Sequence, residues 1–456
     1  MTNPVRVLIV DDSSTVRRLL TLALSAYPEI EVVGTAANGI IALKKLSQLE
    51  LDAVILDVEM PEMDGITTLI YLREARPRLP VVMFSALTER GANVTFDALA
   101  AGASDYVLKP SAQDGETLEG VVANALVPKL LGLTRSPFGV ALQEAMASLP
   151  PERALDRKLT PVRLTGRPSL PNRPSLISPT LLSAPAGLAP KLRPSATPTL
   201  RVPATVPLGK PLATELALSI RHEAGASRPS APTAMVAPQQ QTLRPMERAS
   251  LARHPVGIIV IAASTGGPNA LADLLPRLPA GLPVPIVVVQ HMPALFTRCL
   301  AERLATRTEL RVLESAGQEL LLPGTVYIAP GNRHLEVVRD ALGVRTLVTD
   351  GPAENSCRPA ADVLFRSVAR AYGGAVLCVV LTGMGQDGAR GAREIVNAGG
   401  RVLVQSGPTC VIWGMPKAIE EAGLAEAVVP LSEMAAAILQ RVGVGLSPRP
   451  LPEGPP

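Results

Sequence analysis

Between residues 5 and 130 the chain alternates between two hydrophobic periods. Short, mostly apolar runs occur at Val5–Val10, Glu31–Ala36, Ala53–Asp57, Val81–Phe84 and Tyr106–Leu108. They have the length and β-branched content of strands buried on both faces. Between them, apolar residues recur three and four apart: Ser14–Ala26 carries Val16, Leu19, Leu20 and Ala23 on one helical face. Similar spacing marks Gly39–Leu49, Phe96–Ala101 and Glu116–Val127. Five strands alternating with helices predict a doubly wound parallel sheet.

The periodicity is lost over residues 133–253. Repeated Arg-Pro, Ser-Pro and Ala-Pro steps remove backbone donors there and disfavour helix before each proline. A long, disordered and partly extended linker is expected, with short transient helices around Gly139–Ser148 and Leu212–His222. Regular patterning resumes at Val256. Strands are predicted at Val256–Ala262, Ile286–Gln290, Val326–Ala329, Ala375–Leu381 and Arg401–Gln405. Helices are predicted at Ala270–Leu278, Leu295–Thr306, Ala361–Ala371, Gly388–Ala398, Lys417–Glu421 and Ser432–Arg441. The expected class is therefore α/β, with two doubly wound parallel-sheet domains, 4–130 and 254–443. A basic, proline-rich linker (131–253) joins them, and a flexible tail (444–456) follows.

Composition sharpens this picture. Hydrophobic residues make up 47% of the 456 but aromatics only 2%, so Val, Ile, Leu and Ala must fill both cores. Residues 133–253 hold 16 Lys and Arg against 6 Asp and Glu, a net charge of +10, whereas the whole chain carries only +4. The basic character belongs to the linker, which argues against nucleic acid as a partner of the folded domains. Cys299, Cys357, Cys378 and Cys410 show no CxxC pair or zinc-site spacing and read as reduced thiols. No apolar leader and no run of about 18 apolar residues is visible, so a cytoplasmic protein without membrane insertion is expected.

Candidate chemistry collects at predicted strand ends. Asp11 and Asp12 follow the first strand and Asp57 ends the third. In an open parallel sheet these carboxyl ends face one crevice. Three carboxylates there repel one another unless a cation shares them, and Mg²⁺ suits such hard oxygen donors. Ser85 and Lys109 follow the fourth and fifth strands, where a hydroxyl and an ammonium can contact phosphate oxygens. The motifs LIVDDS, LDVEMPEMDG, MFSALT and DYVLKP resemble those of the response-regulator receiver family over residues 4–130, a flavodoxin-like fold. That resemblance implies Asp57 as phosphoryl acceptor, with Mg²⁺ held by Asp11, Asp12, Asp57 and the Glu59 carbonyl. It also implies Ser85 and Tyr106 as switch positions, Lys109 as phosphoryl-oxygen ligand, and a histidine kinase as phosphodonor.

In the C-terminal domain, a predicted strand runs into Ser264-Thr265-Gly266-Gly267-Pro268 and then a helix, which exposes the Ser264 hydroxyl. A serine needs a base to attack at neutral pH. His291 ends the next strand, and Asp387, after a later one, could orient the imidazole. Two other readings of the turn are a phosphate cradle at a helix N-terminus and a purely structural glycine turn. The segment matches neither GxGxxG nor the P-loop, and GxSxG is absent. His334 could border the cleft, or simply sit in a surface loop.

Residues 256–442 resemble the catalytic domain of chemotaxis protein-glutamate methylesterases through AASTGGP, VVQHMP, YIAPGNRH, RPAADVLF and LTGMGQDGA. The resemblance implies a Rossmann-like domain with a Ser264–His291–Asp387 triad and an oxyanion hole from the Thr265 and Met384 N–H groups. The substrates would be glutamate methyl esters, and glutamines for deamidation, on methyl-accepting chemoreceptors, with no cofactor for the esterase. Two rivals remain at this point: a pure docking module, and the same hydrolase in another motility or developmental pathway.

Overall fold

The computed structural model describes residues 3–86, 88–110, 117–135 and 254–444. The expected transient helices, most of the linker and nearly all of the tail lie outside the described residues.

The N-terminal domain is a five-stranded parallel sheet: β1 (Val5–Val10), β2 (Ile30–Ala36), β3 (Ala53–Asp57), β4 (Val81–Ser85) and β5 (Asp105–Leu108). Their order is β2-β1-β3-β4-β5, the flavodoxin-like arrangement. Alternate residues of β1 serve opposite cores: Val5, Val7 and Ile9 pack on one face, Leu8 and Val10 on the other. Helices begin where a short polar side chain satisfies an orphan backbone donor. Ser13, Asn38, Asp64 and Thr88 cap in this way, each accepting from the N–H three residues on.

One expected boundary is too short. The last helix does not stop at Val127 but continues to Thr134, beyond the anticipated end of the domain at 130. Pro128 lacks the N–H of an interior helical bond. The chain accommodates it with a π-turn at Val122–Leu126, and Leu130 and Leu133 remain buried beyond it.

The C-terminal domain has a seven-stranded, wholly parallel sheet in the order β14-β13-β12-β6-β7-β9-β8. The central strands are β6 (Ile258–Ala263), β7 (Ile286–Gln290) and β12 (Val376–Val380), every residue of them buried. β9 (Thr325–Ile328) and β8 (Arg311–Glu314) lie beyond β7. β13 (Arg401–Gln405) and β14 (Ala427–Val429) lie beyond β12. All six predicted helices are present. Beside the sheet stands an antiparallel hairpin, β10 (His334–Asp340) and β11 (Gly343–Thr349). The sequence reading missed it, along with β8, because half-exposed strands mix polar and apolar residues and give no continuous apolar run; β14 is only three residues long, too short to stand out as a run.

Gly391 shows how tightly the helices pack. A Cβ there would lie 2.5 Å from Phe365 Cβ and 3.0 Å from the Asp362 carbonyl oxygen. Replacing an exposed helical glycine by alanine gains about 1 kcal/mol, whereas overpacking costs about 1–3 kcal/mol. Gly391→Ala should therefore lower the urea midpoint of this domain, read from the fluorescence of Trp413, the only tryptophan in the chain. A raised midpoint would mean that the helix pair has room to separate.

Candidate active site

In the C-terminal sheet the strand order reverses at β6, with β7 on one side and β12 on the other. Such switch points open a crevice at the carboxyl ends, and three chain segments converge there. Ser264 follows β6 and His291 follows β7. Their preceding residues, Ala263 and Gln290, are paired in register, and the His291 N–H donates to the Ala263 carbonyl at 3.2 Å. Asp387 comes from the loop after β12.

The Ser264 turn is held from several sides. Its N–H donates to the Thr382 carbonyl at 3.0 Å, and its own carbonyl accepts from Gly267 N–H at 2.8 Å and Gln290 Nε2 at 2.9 Å. Gly266 adopts φ +77°, and a side chain there would strike Val411, so glycine is required. Gly383 allows the β12 loop close to the serine: a Cβ at 383 would lie 2.8 Å from Ser264 Cβ.

His291 Nε2 lies 2.8 Å from Asp387 Oδ2. Asp387 is only 2% exposed, and its carboxylate also accepts from the Ala361, Asp362 and Gly388 N–H groups and from Asn355 Nδ2. Burial alone would raise its pKa, but the His291 hydrogen bond and the backbone donors hold it below the usual carboxylate value. Burial would likewise lower His291, yet its bonds to Asp387 and Cys357 push it up to about 9. The other ring nitrogen, Nδ1, faces Cys357 Sγ at 3.6 Å. With Nε2 committed to Asp387, Nδ1 is the ring nitrogen left free of the carboxylate.

Of the residues named for the oxyanion, Thr265 is buried and Met384 half-buried. His334 is not in a surface loop. It starts β10, 2% exposed, where Nε2 meets the Pro352 carbonyl at 2.9 Å and Nδ1 accepts from Ala360 N–H at 3.2 Å. Both ring nitrogens serve the backbone that leads into the Ala361–Tyr372 helix.

The receiver-like crevice gathers Asp11, Asp12 and Asp57, whose carboxylate oxygens lie within 4.8 Å of one another. Lys109 Nζ bridges Asp11 (2.9 Å) and Asp57 (2.8 Å). Burial raises Asp57 to about 6 against the opposing pull of Lys109. An all-oxygen donor set this compact and over-charged fits Mg²⁺. Glu59 is exposed at the rim, its carboxylate 3.4 Å from Arg90. Ser85 is buried and accepts from Thr95 Oγ1 at 2.8 Å. The buried Tyr106 ring stacks on Phe296 of the C-terminal domain, centroids 4.8 Å apart.

Family models match the chain twice: a response regulator receiver domain over residues 7–119 and a CheB methylesterase over 259–438. A protein-glutamate methylesterase/protein-glutamine glutaminase from Nocardioides sp. is 44% identical, over 96% of this chain and 95% of that protein. A protein of the same name from Trichodesmium erythraeum is 38% identical over 96% and 99%. The CheB methylesterase catalytic domain of Thermotoga maritima is 41% identical, covering 41% of this chain and 99% of its own, with a TM-score of 0.40. The chain belongs to the CheB methylesterase family.

In this methylesterase the sequence reading passed over four residues around the site. Gln290 holds the serine turn, Asp362 adjoins Asp387, and Asn355 and Cys357 reach the His291–Asp387 pair. Asp362 lies inside the RPAADVLF motif, and Cys357 has no second cysteine at a metal-site spacing. Nothing local in Glu354-Asn355-Ser356-Cys357 signals chemistry.

The raised pKa of His291 sets a pH dependence. Its folded value lies above the ordinary 6.5, so this group adds stability below pH 6.5 that is lost as pH rises through about 9. A base acts in its neutral form, so kcat/KM of the unphosphorylated chain should rise with pH and level off only above about 9. Asp387→Asn should move that limb down toward 6.5. A wild-type limb already centred near 6.5 would contradict the paired geometry.

Proposed function

We propose that this chain is a phosphorylation-regulated serine hydrolase that demethylates glutamate methyl esters, and deamidates glutamines, on methyl-accepting chemoreceptors in the cytoplasm. The observation that carries the reading is the pairing of half-buried His291 with buried Asp387 beside Ser264, on adjacent strand ends of a CheB-family domain.

Ser264 Oγ attacks the γ-carbonyl carbon as His291 Nδ1 takes its proton, which requires the ring to exchange Cys357 for Ser264. The Asp387 carboxylate, kept ionised by its donors, stabilises the imidazolium. Thr265 and Met384 N–H groups hold the oxyanion. Collapse returns the proton to the leaving group, releasing methanol from an ester or ammonia from an amide. Water, deprotonated by His291, then cleaves the acyl-serine and leaves a receptor carboxylate.

Asp57 accepts the phosphoryl group from the chemotaxis histidine kinase. Asp11, Asp12, Asp57 and the Glu59 carbonyl would hold Mg²⁺, which when bound would offset the negative charge of the pocket and of the incoming group. Lys109 turns from the carboxylates to the new phosphoryl oxygens, and Ser85 and Tyr106 follow. Contacts across the two domains support a route from there to the esterase. Besides the Tyr106–Phe296 stack, Asp97 pairs with Arg303 at 2.7 Å and Asn269 Nδ2 donates to the Leu99 carbonyl at 2.9 Å. At Gly132, a Cβ would lie 2.8 Å from Met384 Cε, beside the oxyanion turn. A receiver seated in this way restricts the cleft, and a displaced Tyr106 loosens it.

Two outcomes follow. Ser264→Ala should cut methanol release from methyl-labelled receptor membranes by about 10³-fold or more; near-normal turnover would assign the chemistry to another nucleophile. Phe296→Ala removes the ring under Tyr106, so basal release should rise several-fold and further stimulation by a small phosphodonor with Mg²⁺ should shrink. Unchanged basal activity with full stimulation would exclude the ring stack from the regulatory route.

A further inference from the structure

Asp387 belongs to a second cluster that the hydrolytic scheme does not use. The segment Glu354–Cys357 closes on itself, with Glu354 N–H donating to the Cys357 carbonyl at 3.0 Å and Cys357 N–H to the Glu354 carbonyl at 2.9 Å. Asn355 (φ +54°) and Ser356 (φ +61°) are consecutive non-glycine residues in the left-handed region. Such backbone persists only where its surroundings enforce it. Here Glu354 is gripped by both arms of the Arg366 guanidinium, at 2.8 and 2.6 Å.

The constrained turn delivers two side chains to the base. Asn355 Nδ2 donates to Asp387 Oδ1 at 2.8 Å and to Asp362 Oδ2 at 2.9 Å. Both carboxylates are almost fully buried, Asp387 at 2% and Asp362 at 1% exposure. Burial already pushes Asp362 above the usual carboxylate value. Neighbouring buried carboxylates tend to share one proton. A primary amide supplies a donor to each without adding charge. A lysine or arginine here would instead compete with the imidazolium for Asp387. At the other end of the turn, Cys357 Sγ meets His291 Nδ1.

We infer that the Glu354–Cys357 turn is a clasp that positions the His291–Asp387 pair, with the Asn355 amide holding Asp387 aimed at Nε2. The inference rests on the hydrolase reading. The charged and titratable groups around Asp387 are His291 beyond β7, Glu354 and Cys357 in the turn, Asp362 and Arg366 on the Ala361–Tyr372 helix, and Arg390 on the Ala389–Asn397 helix. Without the amide, Asp362 and Asp387 share a proton, His291 loses part of its counter-charge, and its pKa falls.

Asn355→Gly in the full chain isolates the amide, because glycine accepts the left-handed backbone without strain. The expected result is an unchanged urea midpoint, an unchanged KM and a kcat lower by about 10- to 100-fold. His291, followed by NMR of its imidazole, should titrate well below 9 and toward 6.5, and the rising limb of the rate profile should move with it. Asn355→Asp keeps the shape but removes the donors, and should lose kcat similarly. Wild-type kcat and an unmoved His291 titration in Asn355→Gly overturn the inference. So does a kcat loss accompanied only by a lower midpoint, which marks a structural turn. Ser264→Ala, assayed in parallel, separates the two failures. If it retains turnover the hydrolase reading itself falls, whereas the His291 titration needs no substrate and judges the clasp alone.

Discussion

A carboxylate buried to 2% exposure is stable only where donors replace its lost water, and the C-terminal domain converges on meeting that need at Asp387. Three backbone N–H groups, one amide and one imidazole reach it. The backbone donors lie at or beside the starts of two helices, where N–H groups are unpaired within the helix and favour negative charge. The anion in turn fixes the orientation of His291 and leaves the other ring nitrogen free of the carboxylate. The sheet contributes the spacing, because parallel neighbours in register place Ser264 and His291 on adjacent strand ends.

The receiver meets a related problem and solves it differently. Asp57 is buried beside Asp11, and Lys109 bridges them. That ammonium is available to follow charge that arrives on Asp57. The Tyr106 ring stands between this crevice and the esterase, stacked on Phe296. A rearrangement beginning at Lys109 therefore has a short physical path into the second domain.

Much of this was legible in the chain, for identifiable reasons. Strands such as β6 and β7, apolar on both faces, leave a continuous signal, and the residues ending them become candidate chemistry as soon as a parallel sheet is recognised. Ser264, His291, Asp387 and the three acidic residues of the receiver become candidates in that way. The rest depends on contacts distant in sequence. Asn355 and Cys357 lie in a turn made by Arg366 rather than by local propensity. The burial of His334 follows from the hairpin it begins, whose mixed polarity gave no clear period. The helix past Pro128 needed a π-turn, which the pattern of residues does not announce.

The central claim is that the Ser264 hydroxyl, not the Cys357 thiol now facing His291, is the nucleophile served by the His291–Asp387 pair, and that Asp57 phosphorylation increases access to it. Covalent trapping with a fluorophosphonate, located by peptide mass spectrometry with and without phosphodonor and Mg²⁺, tests this directly. The account predicts a single adduct on Ser264 that forms faster in the phosphorylated chain. Labelling of Cys357 with Ser264 untouched, or labelling of Ser264 at a rate indifferent to phosphorylation, would contradict it.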